Sequence, residues 1–299
     1  MPLDQIDVDK LDQDKASGNG KEMSFLEHLE ELRWHIIRSL AVIASLGIVL
    51  FIFHKWLFDD IIFGPTKPEF FSYRFACWLS ESLGLGSTFC FEPPVFPKIA
   101  IGFGEPFIMS IKVSFVMGFL MAIPYVLWEF WRFIKPGLYA REQHAARGLV
   151  GVCSALFLTG VLFGYYIIAP FAINFLVGYD VPGVQNTPTM SSFINYMIMF
   201  TAPAGLIFEL PVIVYFLSKA GLVTPADMRQ YRRHSIVGIL ILAAVITPPD
   251  VVTQFLIGVP LYVLYEASIL VSARVARELA REEAVREREL QKIEQQDNT

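Results

Sequence analysis

Six long apolar runs constrain this chain more than any other feature, near 35–53, 106–134, 148–171, 193–217, 233–248 and 253–272. A bilayer core of about 30 Å takes roughly 20 apolar residues wound as a helix. Inside lipid the backbone must satisfy its own hydrogen bonds, which leaves helices or closed barrels. The fifth run is the short one. Its charge-free stretch from Ser235 to Thr247 rises only about 20 Å, so flanking residues or a thinned bilayer must complete the crossing. Composition agrees: 54 % of the 299 residues are hydrophobic and 18 % charged, whereas a soluble domain is about 45–50 % apolar. The reading is an all-α membrane protein with six transmembrane helices, the fifth and sixth short.

Basic residues in the short loops orient such a chain. The segment 133–147 holds Lys135, Arg141 and Arg147, beside Arg132; the segment 218–233 holds Lys219, Arg229, Arg232 and Arg233. Arg274, Arg277 and Arg281 follow the sixth run, while 176–192 and 249–252 contain no Lys or Arg. Both termini and both basic loops are therefore expected in the cytoplasm. The first loop on the opposite, periplasmic side is long, about 54–105. Cys77 and Cys90 lie in it. On an oxidising side they can pair; the alternative is two separate thiols in a small packed cap. Cys153, within the third run, reads as packing.

Residues 1–22 carry Asp4, Asp7, Asp9, Asp12 and Asp14 without an apolar period and read as a disordered acidic tail. They lack the basic region of a secretory signal peptide. The membrane domain is expected over 23–272 and a charged helical tail over 273–299. No phosphate loop, metal-spaced Cys/His set or internal repeat stands out, and nothing points to a cofactor, a metal or nucleic acid.

The stretch "SFLEHLEELR" (24–33) is acidic where the cytoplasmic end of a first span would ordinarily be basic. Phe25, Leu26, Leu29 and Leu32 recur at helical spacing. Ser24 with Glu27 forms a capping box, and Glu30 has Arg33 three residues on. Glu31 is left over, with Trp34 and His35 at i+3 and i+4 and a like charge one turn back. It is either an exposed carboxylate on a solvated face or an acceptor for a cationic partner from the cytoplasm. Glu142, between Arg141 and Arg147, has the same two readings. Two carboxylates on one surface suit guanidinium groups, which prefer bidentate partners.

Glu209 in "IFELP" lies about 12 Å inside the fourth run. A carboxylate at that depth is a functional candidate by default. Pro203 and Pro211 flank it and favour a kink, so the helix is expected to line a wet cavity or to hydrogen-bond a neighbouring helix. Glu129 and Glu266 sit nearer cytoplasmic ends, and Arg132 at i+3 offers Glu129 a local pair. Asp250 in "TPPD" is placed to cap the sixth helix, which Gln254 opens.

These motifs, in order, resemble the TatC family, the multi-spanning receptor subunit of the twin-arginine protein translocase: "FLEHLEELR", Gly64-Pro65, "FIKPGLYAREQ", "FGYY", "FELP", "LTPADMRQYRR" and "ITPPDVVTQ". The resemblance spans about 23–272. The acidic tail before Met23 and the Cys-bearing first outside loop depart from the family pattern. The resemblance implies recognition of twin-arginine signal peptides of folded precursor proteins. It also implies export on the proton-motive force with TatA/TatB-type single-span partners, from a homo-oligomeric receptor complex in the bacterial cytoplasmic (inner) membrane. It is not an enzyme family. The signal-binding glutamates fall on Glu31 and Glu142, with Arg33, Phe133, Pro136 and Tyr139 in the surrounding patch. Glu209 matches the intramembrane glutamate that contacts partner helices, and Gln254 with the short fifth span matches a partner-docking surface. Pro65 and Asp250 match functional positions on the outside face.

The competing reading is a proton- or ion-coupled secondary transporter using Glu209. Paired repeats with broken helices in both halves would favour it, and none is evident. An intramembrane enzyme would need a Ser-His, paired-Asp or zinc-type constellation in the spans, which the sequence does not offer.

Overall fold

The computed structural model describes residues 25–82, 84, 90, 92–93, 96–134, 140–179, 182–183, 186–246 and 251–297. Among them the architecture is helical, and the one β feature is an isolated bridge between Ile99 and Thr189. Helix α1 (Phe25–Ile52) leads through a short irregular helical segment to helix α2 (Phe71–Ser82). Helix α3 (Glu105–Ile134) returns across the molecule, followed by α4 (Ala140–Phe163), a π turn at Gly164–Ile168 and α5 (Ala169–Gly178). Then come α6 (Met190–Ile207), α7 (Leu210–Lys219), the one-and-a-half-turn α8 (Pro225–Gln230), α9 (Arg232–Ile246) and α10 (Val251–Asp297).

Among the described residues, five segments are long and apolar enough to cross a membrane: Leu29–Ile52, Glu105–Phe133, Gly148–Gly178, Met190–Lys219 and Ile257–Arg288. The fifth expected span appears as α9, a helix of 15 residues, and falls short of that length. The sixth differs from the expectation of a short helix. Its apolar part runs without a break into the charged tail, making one helix of 47 residues. After Pro260 no Gly or Pro interrupts it, and Ala, Glu and Arg of high helix propensity fill the tail. No helix end marks the expected boundary at 272–273.

Prolines shape the two bent spans. Pro211 has no N–H to continue the ladder, and the fourth span breaks at Phe208–Glu209 before restarting as α7 with that proline in its first turn. The π turn in the third span precedes Pro170, which cannot donate to the Tyr166 carbonyl; the Ser72 hydroxyl of α2 donates to it instead.

Glycines set the closest helix crossings, as expected where small residues let backbones approach. A Cβ on Gly118 of α3 would lie 2.7 Å from the Gly47 nitrogen of α1, and one on Gly164 would lie 2.6 Å from the Phe200 carbonyl. The core beside these seams holds Leu57, Val113, Ile168, Ile194, Met197 and Phe200.

Pro65, expected on the outside face, is fully buried beneath the cap. Its carbonyl accepts from Tyr73 Oη at 2.5 Å. Burial pushes the Tyr73 phenol above its ordinary range, so it stays a neutral donor. Tyr165 Oη donates to the Ile61 carbonyl at 2.6 Å, and the rings of Phe70 and Tyr166 stack at 5.3 Å. The "GP" and "FGYY" motifs thus meet in space. A Cys77–Cys90 disulfide joins α2 to the following loop.

Candidate functional site

The crossing of α1 and α3 at Gly47 and Gly118 fixes what meets at the motif-bearing end. His35 lies 12 residues before Gly47 and Glu129 lies 11 after Gly118, so in antiparallel helices the two arrive level. His35 Nδ1 donates to Glu129 Oε2, and Tyr125 Oη donates to Glu129 Oε1 at 2.9 Å. Glu129 is 1 % exposed. This corrects the expected Glu129–Arg132 pair. The carboxylate turns inward to another helix, while Arg132 packs over the Trp128 ring at 5.6 Å. His35, which spacing presented only as a neighbour of Glu31, is a central member of the site.

Glu31 reaches the far side of the same imidazole, its Oε1 4.0 Å from His35 Nε2. Its side chain is 35 % exposed, yet Oε2 is buried with no hydrogen-bond partner. An unpartnered carboxylate oxygen costs free energy that a guanidinium N–H would recover. Arg33 sits outside this line, 3.9 Å from Glu30 and stacked near Trp34. The Phe133 ring meets His35 edge-on at 6.0 Å. The cluster at this end is therefore Glu31, His35, Glu129 and Tyr125, bordered by Phe133. Pro136, Tyr139 and Asp250 lie outside the described residues, as do Ser24 and the side chains of Glu27 and Glu142.

The break in the fourth span brings Glu209 against the neighbouring helix. Its carboxylate lies beside Cys153 of α4, which is buried in the protein. Glu209 Oε1 is buried with no hydrogen-bond partner among the described residues. The site residue Gln254 is turned inward: its Nε2 donates to the Leu240 carbonyl of α9 at 3.1 Å. Glu266 pairs with Arg232 at 2.7 Å and accepts from Tyr262 at 3.0 Å, tying α9 to α10.

Fold and site together define a multi-pass, all-helical membrane protein. Its polar groups gather at one end of the first two spans and at the break in the fourth. The family model for the Sec-independent protein translocase protein TatC matches residues 27–260. The chain is 34 % identical to a Sec-independent protein translocase protein TatC of Blattabacterium sp. subsp. Periplaneta americana (strain BPLAN), covering 86 % of this chain and 97 % of that one. It is 33 % identical to its counterpart from Aquifex aeolicus (strain VF5), covering 85 % and 97 %. A crystal structure of the twin arginine translocase receptor TatC superposes with a TM-score of 0.63 at 33 % identity, covering 84 % of this chain and 100 % of that one. The chain belongs to the TatC family and is a non-enzymatic subunit of the Sec-independent protein translocase.

Proposed function

We propose that this subunit is the receptor for twin-arginine signal peptides at the cytoplasmic face, and that it exports folded precursors with TatA/TatB-type partners on the proton-motive force. The observation that carries the reading is Glu31. It combines solvent access with a buried oxygen that has no partner, at a surface where an arriving guanidinium supplies the missing donor. In this reading α9 is a true but short crossing, which makes six spans with both termini in the cytoplasmic compartment of the inner membrane. Glu142 provides the second carboxylate, and Arg33, Phe133, Pro136 and Tyr139 frame it. Glu209, left with a free oxygen at the helix break, receives a partner helix; Gln254 holds α9 and α10 together as its docking surface. Pro65 and Asp250 shape the outside face. The complex holds more than one copy.

The test places a photo-reactive group beside the twin arginines of an exported precursor, in membranes that contain the partner subunits. Adducts should map near Glu31 and Glu142. Glu31→Gln combined with Glu142→Gln should weaken precursor binding at least about tenfold, the loss of roughly 1.4 kcal/mol, while membrane insertion stays intact. Equal binding by parent and double variant would eliminate these residues as the grip.

A further inference from the structure

The outside helix α2 presents two opposite faces. At about 100° per residue, Ser72, Ala76 and Ser80 fall on one side with Tyr73, and all four are buried against the protein. Phe71, Phe75 and Trp78 fall on the other, spaced i, i+4, i+7, and are 61 %, 43 % and 61 % exposed. Arg74 and Glu81, both exposed, flank that stripe on one side. A water-facing helix would place its charges outward. This one places three aromatic rings there and its small and hydroxyl residues inward.

The depth of α2 follows from the spans, taken in the six-span orientation proposed above. About 20 helical residues carry a chain through the apolar core. Counted inward from the cytoplasmic ends, α1 and the short helical segment after it reach Trp56 about 18 residues after Arg38, α3 reaches Lys112 about 20 before Arg132, and the third span reaches Tyr165–Tyr166 about 18 after Gly148. One level therefore passes through Trp56, Lys112 and Tyr166. Helix α2 is fastened at that level, by the Ser72 hydroxyl on the Tyr166 carbonyl and by the Phe71 ring against Tyr166 at 6.0 Å. Around it Ile52, Phe53 and Trp56 at the end of α1, and Phe107 at the start of α3, also point away from the protein. Aromatic residues concentrate at such membrane–water boundaries, where the ring sits among headgroups and acyl-chain ends.

We propose that α2 is an interfacial anchor: its Phe71–Phe75–Trp78 face lies in the outer leaflet of the bilayer and makes the cap part of the lipid-contacting surface. Arg74 stands at the edge of this face, level with lipid phosphates. Lipid, and not a second protein, is the occupant, because the stripe continues the girdle formed by Trp56 and Phe107 on the lipid-facing walls of the spans. The Ser72 bond to Tyr166 and the Tyr73 bond to Pro65 hold the helix against the protein, so insertion needs no folding step of its own.

The test replaces Phe75 with a photo-reactive phenylalanine analogue in the full chain, in its native membranes with the partner subunits. A second variant, Ile101→Cys, is labelled from outside with a membrane-impermeant maleimide. Adducts of the Phe75 probe should fall on lipid several-fold more often than on protein, and Ile101→Cys should label. Labelling of Ile101→Cys with Phe75 adducts mainly on a partner subunit or a second copy of this chain overturns the anchor and leaves the receptor reading intact. Labelling with neither lipid nor protein adducts places α2 in water and overturns it as well. Ile101→Cys that labels only after the membrane is opened would overturn the six-span orientation, and the anchor with it.

Discussion

Replacing His35 tests whether the α1–α3 register is what brings it onto Glu129. Glu129 is 1 % exposed, and each of its oxygens has its own donor, His35 Nδ1 and Tyr125 Oη. Two magnitudes bracket the loss. Hydrogen bonds between helices of a membrane protein average about 0.6 kcal/mol and reach about 1.7. Removing one member of a buried charged pair costs about 3–5 kcal/mol, because the other is left buried without its partner. His35→Ala strands a carboxylate that retains a single donor, so the cost should lie above the first range, about 2–4 kcal/mol. Glu129→Gln keeps the volume and one acceptor and should cost about 1.5–3 kcal/mol. The paired replacement His35→Leu with Glu129→Met removes both polar groups and should come within about 1 kcal/mol of the parent. The assay is reversible unfolding in mixed micelles, with helicity read against the mole fraction of denaturing detergent. Non-additivity of about 2 kcal/mol or more is expected, against the few tenths shown by independent sites. Additive effects would mean that the two side chains do not meet, and the register argument would fail.

Three further outcomes bear on the fold and the docking surface. Gly118→Ala pushes a methyl group to 2.7 Å from the Gly47 backbone and should cost about 1–3 kcal/mol. Gly47→Ala meets only ordinary contacts at 3.6 Å and should be neutral or stabilising by up to about 1 kcal/mol; thermal unfolding in detergent that ranks them the other way would refute the crossing. Tyr73→Phe leaves the buried Pro65 carbonyl without its donor and should destabilise the cap by about 1–3 kcal/mol, measured as faster proteolysis within the first outside loop. Gln254→Leu removes one bond to a carbonyl that lies inside a helix, so unfolding should shift by no more than about 1.5 kcal/mol. Export that falls far more than this would assign Gln254 to partner docking; unchanged export would remove it from that surface.

Much of the architecture was legible because it depends on neighbours in sequence. Apolar runs of about 20 residues specify spans, since a helix is the local way to satisfy backbone groups in lipid. Pro203 and Pro211 announced the irregularity around Glu209, and the observed break follows from a missing N–H, a property of one residue. The Glu30–Arg33 pair was readable for the same reason, because i and i+3 lie on one face of any helix. The 47-residue length of α10 was also in the sequence, in the absence of Gly and Pro after Pro260.

The tertiary structure decided what helical spacing could not. A local rule offered Glu129 the nearby Arg132, but the fold gave it His35, 94 residues away. That choice rests on the depth to which α1 and α3 interlock, set by the backbone approach of Gly118 to Gly47. Pro65 is buried, because the Tyr73 and Tyr165 bonds fold the cap down over it. Gln254, which the family resemblance sets on a docking surface, bonds the Leu240 carbonyl of α9. By itself the sequence determined helices, spans and kinks, since these follow from each residue's own backbone and its neighbours within a turn. Which face of each helix meets which other, and therefore which of Glu31, Glu129 and Glu209 keeps an oxygen without a partner, depends on packing between residues far apart in the chain.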